Sequence, residues 1–267
     1  MRTQSGSGLG DHDRQEPLDH EELGRRSLAR SFNRYDTLSE RAEVVSIRAG
    51  SSLAGDRSAA SYSSVPDQVR SGLGVALDHL HAFKIIVTDG EAALPFALYT
   101  LVRSTYEAVG TALWLLQPAS RDERVLRSLK LARENRRLVK MVYTELAVAD
   151  PGWDRAVGAL ERDRDGRDHL VDADLRKVDR VSTRLAAIAP LVPDLFMTPL
   201  ALWQTASGMA HANGSMMLLM LDRKQIGKPE HGGADYRMTT SIIGLAGYFD
   251  AALDMTERLL QLWDERN

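Results

Sequence analysis

Polar residues interrupt two apolar segments of this sequence at the same spacing. Residues 92–117 and residues 199–221 both have the composition of buried helices. Each carries four polar residues at relative positions 0, 3, 7 and 11, which at about 100° per residue fall within about 80° of one another. We therefore expect two polar stripes that face each other across packed helices. Their members are Thr100, Arg103, Glu107 and Thr111, and then Gln204, Ser207, His211 and Ser215.

These residue types could perform acid–base chemistry on an anion. Arg103 and Glu107 lie one turn apart, but arginine before glutamate is the weaker order for a helical ion pair, which leaves room for partners on the other helix. His211 is the expected partner, and an arginine, a glutamate and a histidine together could bind a phosphate and move protons. The alternative is a self-satisfied network that only fixes the helix register. The sequence predicts catalytic roles for Arg103, Glu107 and His211, with binding roles for Ser207, Gln204 and Asn213.

A second candidate surface lies on the amphipathic segment 120–148, whose Ser120 and Glu123 form a capping box. Its basic residues cover a band of about 140° on the helical wheel, opposite an apolar face. This band could bind RNA phosphates, with Arg133 and Arg137 as the binding residues. The alternative is a solvated face, because no aromatic residues interleave for base stacking. The band comprises Arg127, Lys130, Arg133, Arg137 and Lys140, and the apolar face comprises Leu131, Leu138, Val139, Val142 and Leu146.

Composition excludes several functional classes. The 267 residues include no cysteine, so disulfides, thiolate catalysis and cysteine-based zinc sites are excluded. A net charge of −3 gives no general attraction to nucleic acid or acidic membranes. His79 and His81 point about 200° apart on a helix and cannot share an ion. Nucleotide-binding and hydrolase motifs are also missing. We expect no metal and no cofactor.

The sequence predicts an all-α protein. Residues 1–66 are polar and predict a flexible or loosely docked N-terminal arm with helix over Leu18–Arg48 and a linker over Gly50–Pro66. Residues 67–267 predict a bundle of about six helices, with no strand and with a glycine-rich loop over Arg223–Asp235. No apolar run is long enough to span a membrane, and no signal peptide is evident, so we expect a cytoplasmic protein without membrane contact.

The order of these segments resembles a known group of proteins. The Arg-x3-Glu of LVRSTYEAVGTALWLL, a charged helix, and the Ser-x3-His of WQTASGMAHANG resemble all-helical actinobacterial proteins, some similar to the HEPN-like superfamily. That superfamily includes abortive-infection and toxin ribonucleases with an Arg-x4–6-His motif. The sequence departs from this motif, because the positions before His211 that would hold arginine are Gln204, Thr205 and Ala206.

Two functions follow from the residues and the resemblance. The leading hypothesis is a HEPN-like helical protein in phage defence or stress response that acts by dimerisation or by binding a protein partner. The alternative is a metal-independent ribonuclease that uses Arg103, Glu107 and His211, with RNA as its substrate.

Overall fold

The computed structural model describes residues 14–230 and 233–267, which form ten α-helices and one β-hairpin. The predominance of helix is confirmed, whereas the predicted count of about six helices is wrong, because expected loops contain short helices and one expected helix is divided. The elements are α1 (Leu18–Glu43), α2 (Ser52–Ser58), α3 (Val65–Thr88), α4 (Pro95–Leu116), α5 (Arg121–Glu145), α6 (Trp153–Asp165), α7 (Val181–Ala187), a 3-10 turn (Ala189–Leu191), α8 (Pro199–Ala210), α9 (Gly214–Met220), β1 (Leu221–Glu230), β2 (Gly233–Thr240) and α10 (Ile242–Arg266).

Helix α4 is the centre of the fold, as its apolar composition predicts. It packs against α3, α8 and α10, and twelve of its residues are buried. The buried hydroxyl of Tyr106 donates to the backbone oxygen of Tyr248 on α10, at 2.6 Å. Polar side chains on α4 therefore lie beside a rigid core, and only those at its edges reach solvent.

Helix α1 belongs to the core, so the prediction of a flexible or loosely docked N-terminal arm is wrong for this helix, whereas residues 1–13 of the predicted arm lie outside the described part of the chain. Four members of its apolar stripe are buried against α10 and α3: Leu28, Phe32, Tyr35 and Leu38. The rings of Phe32 and Phe249 meet edge to face, with centroids 5.2 Å apart. Arg34 adds an ion pair to Asp254, at 2.6 Å. An imperfect stripe suffices here because α10 presents a matching apolar face.

The expected linker over residues 50–66 contains α2 and a buried ion pair. Ser51 caps α2 by accepting from the N–H of Ala54, at 3.0 Å. The fully buried Asp56 accepts two hydrogen bonds from Arg124 of α5, at 2.7 and 2.8 Å. The partners lie far apart in sequence, so local composition indicates only a polar segment. The boundary predicted at residue 66 falls in the first turn of α3.

The segment expected to be one apolar helix over 199–221 is divided into α8 and α9. Ala212 adopts the left-handed region, with φ of +53°, which ends α8. The side chain of Asn213 then accepts from the N–H of Met216, at 3.1 Å, and so begins α9. Asparagine before glycine was the signal for this break. The division leaves Ser207 within α8 and His211 at its C-terminal end.

A β-hairpin replaces the predicted glycine-rich loop, so the expectation of no strand is also wrong. Strands β1 and β2 are antiparallel and pair Leu221 with Thr240 and Gln225 with Tyr236. Threonine and tyrosine favour this extended pairing. Between α6 and the 3-10 turn, the chain forms only the short helix α7.

Candidate functional site

The two polar stripes meet at one point. Arg103 on α4 donates from Nε to the hydroxyl oxygen of Ser207 on α8, at 2.9 Å. The predicted contact between the stripes is therefore present for this one pair of residues. A neutral serine hydroxyl orients the guanidinium but does not balance its charge. That balance comes from the same helix as Arg103.

Glu107 balances the charge of Arg103, and Trp203 holds the glutamate in place. Arg103 Nη2 lies 3.4 Å from Glu107 Oε2, and the indole of Trp203 donates to the same oxygen at 3.2 Å. The guanidinium carbon also lies 5.5 Å from the centre of the Trp203 ring. The sequence stripes missed Trp203, although its position one turn before Ser207 could have indicated it. The side chains of Arg103 and Glu107 are 26% and 37% exposed, so this cluster opens to solvent.

His211 lies outside this cluster. It follows the last residue of α8, where its backbone N–H bonds to the oxygen of Ser207 at 3.0 Å and its side chain is exposed. In the described part of the chain, no contact joins its imidazole to Arg103 or Glu107. The structure thus brings together two of the three predicted catalytic residues, and a catalytic role for the three stays a prediction.

Two of the other predicted binding residues, Gln204 and Asn213, do not contact the Arg103 cluster. Gln204 is exposed on α8, and Asn213 caps α9. In the described part of the chain, neither side chain contacts Arg103 or Glu107. A role for them in binding stays a prediction.

An open groove with a volume of about 820 Å³ begins at the Arg103–Glu107 pair. Helices α3, α4, α5 and α7 supply its walls. Its apolar lining includes Gly72, where an added Cβ would lie 3.1 Å from the backbone oxygen of Ala108. The helices α3 and α4 therefore pack closely below the groove. The other small and apolar lining residues include Ala108, Ala112, Leu115, Leu131 and Leu138.

Three further charged residues line the groove and were not predicted as site residues from the sequence: Asp67, Glu134 and Arg184. Glu134 accepts two hydrogen bonds from Arg137, both at 2.7 Å, and these bonds lower the pKa of Glu134. Arg184 of α7 donates from Nη1 to Thr111, the last member of the first stripe, at 2.9 Å. Burial lowers the pKa of Arg184, while Glu107 opposes that shift. The groove thus has polar walls over an apolar lining, an arrangement typical of binding sites.

The basic band of α5 is largely engaged by neighbouring side chains. Lys140 and Arg133 lie over the ring of Trp153 on α6, at 4.2 and 5.9 Å from its centre. Arg137 is bonded to Glu134, and Arg127 donates to Glu123 at 2.9 Å. These contacts leave less positive charge for phosphates than the sequence pattern suggests. An RNA-binding role for Arg133 and Arg137 stays a prediction.

The opposite face of α5 is exposed although it is apolar. We name Leu138, Val139, Val142 and Leu146 the α5 apolar stripe; their exposed fractions are 48%, 40%, 59% and 66%. The buried residues of α5 lie between Arg124 and Ala132, so the second half of the helix extends past the core. An amphipathic helix ordinarily turns its apolar face to the core. Here the polar face contacts α6 and the apolar face meets solvent.

Comparison with protein-family models, with curated proteins and with solved structures gives no match for this chain. Within residues 14–230 and 233–267, no helix combines the length and apolar character needed to cross a bilayer. The same residues contain no group of three or more histidine, aspartate or glutamate side chains placed to hold a metal ion. The groove and the α5 apolar stripe are therefore the features of the structure from which a function can be inferred.

Proposed function

We propose that this protein is an α-helical interaction protein that self-associates through the α5 apolar stripe. The observation that carries the proposal is the reversed orientation of the second half of α5, with its cations against Trp153 and carboxylates and its aliphatic side chains in solvent. Single exposed aliphatic residues are ordinary, but a contiguous row of them marks an interaction surface. Covering this row would bury it from water and so favour association.

The spacing of the stripe favours a second copy of the chain as the partner. Leu138 and Leu146 each lie four residues from Val142. In an antiparallel pair of α5 helices centred on Val142, Leu138 packs against Leu146 of the second copy, and Val142 packs against its own counterpart. A two-fold interface needs such self-complementarity, because the same surface serves both subunits.

Sedimentation equilibrium tests the proposal. The wild-type chain should form a dimer, and Val142→Glu should shift it to the monomer, because a carboxylate would be buried at the centre of the interface. Leu219→Glu on α9 is the matched control, since Leu219 is 58% exposed and Val142 is 59% exposed. A monomeric wild-type chain, or equal dissociation by both variants, would contradict the proposal.

The HEPN-like relation and the role in phage defence or stress response belong to this proposal and rest on the sequence resemblance. The separation of His211 from Arg103 and Glu107 favours an interaction role over the ribonuclease alternative. Incubation of the purified chain with RNA distinguishes the two. Cleavage by the wild-type chain that is lost in a folded His211→Ala variant would support the ribonuclease instead.

A further inference from the structure

Arg184 is a half-buried cation with an incomplete set of partners. Its Nη1 bonds to Thr111, and its guanidinium carbon lies 5.8 Å from the centre of the Trp114 ring. Its Nε is buried and has no hydrogen-bond partner among the described residues. Those residues also place no carboxylate within ion-pair distance of it. A half-buried charge ordinarily has a counter-ion, because burial without one is costly.

The other charges of the groove do not supply that counter-ion. Glu107 is paired with Arg103, and Glu134 is held by both nitrogens of the Arg137 fork. Asp67 accepts from the hydroxyl of Ser64 at the start of α3, at 2.5 Å. The three carboxylates of the groove wall are thus engaged elsewhere, while Arg184 lines the same open volume.

We propose that the groove binds a small organic monocarboxylate, with its carboxylate on Arg184 and its aliphatic body along the apolar lining. A guanidinium presents parallel donors that match the two oxygens of a carboxylate. The apolar body would lie against Ala108, Ala112 and Leu115 of α4. The volume of about 820 Å³ falls within the range of roughly 300–1,000 Å³ that small-molecule sites occupy.

The charge of the ligand follows from the carboxylates nearby. Glu107, Asp179 and Glu134 all act electrostatically on Arg184. They would repel a dianionic phosphate more strongly than a monoanion, since the Coulomb energy scales with the product of the charges. A monocarboxylate therefore fits the groove better than a phosphate monoester. Arg184 lies on α7, outside the α5 apolar stripe, although Leu138 belongs both to the stripe and to the groove lining. Octanoate binding by the Val142→Glu variant therefore tests the site apart from self-association.

Isothermal titration calorimetry with octanoate tests the site. Octanoate should bind the wild-type chain, whereas octanol, which lacks the charge, and acetate, which lacks the chain, should bind at least tenfold more weakly. Arg184→Gln should weaken octanoate binding at least tenfold, as expected for loss of a charge-assisted hydrogen bond. A second variant, Asn135→Trp, should block the groove from an exposed position on α5 without touching the core.

A second cavity supplies the control. It has a volume of about 520 Å³, an apolar lining and its own arginine, Arg25, which is already bonded to Glu21 at 2.7 Å. Arg25→Gln should leave octanoate affinity unchanged. Failure of octanoate to bind the wild-type chain, undiminished binding by folded Arg184→Gln and Asn135→Trp, or loss of binding in Arg25→Gln would each overturn the proposal. Circular dichroism melts establish that each variant is folded.

Discussion

At the scale of single residues, the free energy lost on breaking an ion pair depends on how deeply the pair is buried. Asp56 and Arg124 are 0% and 1% exposed and share two hydrogen bonds. Asp56→Ala should lower the free energy of unfolding by about 3–5 kcal/mol, because it leaves Arg124 charged and buried without its partner. Chemical denaturation measures this loss. Asp36→Ala, which breaks an exposed pair with Lys84, is the control and should cost about 0–1 kcal/mol. Equal losses would contradict the account.

The pair of Arg103 and Glu107 should behave like an exposed pair. If the cluster were buried, the sequence would predict a loss of about 3–5 kcal/mol for Glu107→Ala. The structure leaves 37% of the Glu107 side chain exposed, so we expect a loss of about 1 kcal/mol or less. Thermal or chemical denaturation would check this value. A loss as large as that of Asp56→Ala would mean that the cluster is closed.

Three core tyrosines make the fold sensitive to alkali. Burial raises the pKa values of Tyr99, Tyr106 and Tyr248. Their neutral forms are therefore favoured in the folded state. The resulting stability is fully present below the unfolded tyrosine pKa of about 10 and is lost as the pH rises through the raised values. Denaturation across this alkaline range should show a steep fall for the wild-type chain and a shallower one for Tyr99→Phe. Parallel curves would contradict the assignment.

At the scale of elements, Gly24 tests whether α1 is docked. A Cβ on Gly24 would lie 2.5 Å from the backbone nitrogen of Ile243 at the start of α10, whereas a Cβ on Gly74 of α3 would meet nothing within 4 Å. Gly24→Ala should therefore destabilise the fold by about 1–3 kcal/mol, because backbone must move. Gly74→Ala should instead stabilise it by up to about 1 kcal/mol, through helix propensity. Denaturant titration of both variants measures the contrast. Stabilisation by both would mean that α1 is loosely attached after all.

The sequence predicts those elements that local signals determine. Apolar periodicity indicated α3 and α4, and the Ser120 cap indicated the start of α5 within one residue. The docking of α1 and the burial of Asp56 depend on distant partners, so local composition could not predict them. The hairpin was missed because the glycines of this segment predict a loop, whereas its strands are formed by pairing with each other.

In the candidate site too, the sequence predicted only the residues that helical spacing places together. Helical periodicity placed Arg103 and Glu107 on one face, and the matching stripe led to Ser207. His211 was misplaced because the break at Ala212 lies one residue beyond it. Arg184 reaches Thr111 from a short helix that follows a long irregular segment, so no sequence spacing connects the two.

At the scale of the whole molecule, the fold leaves the α5 apolar stripe exposed to solvent. The core covers the first half of α5, and α6 covers the polar face of the second half. Only the apolar face of this half lacks a cover among the described residues. A second copy in antiparallel register would complete it with the stripe that each chain already carries.

Disulfide cross-linking at Val142 tests this claim most directly. The chain has no cysteine, so Val142→Cys introduces a single thiol, and a two-fold axis at residue 142 brings it against its counterpart. Mild oxidation at low protein concentration should convert most of this variant to a covalent dimer, while the equally exposed Leu219→Cys stays largely monomeric. Cross-linking of Leu219→Cys as fast as Val142→Cys, or no covalent dimer from Val142→Cys, would contradict self-association through the α5 apolar stripe.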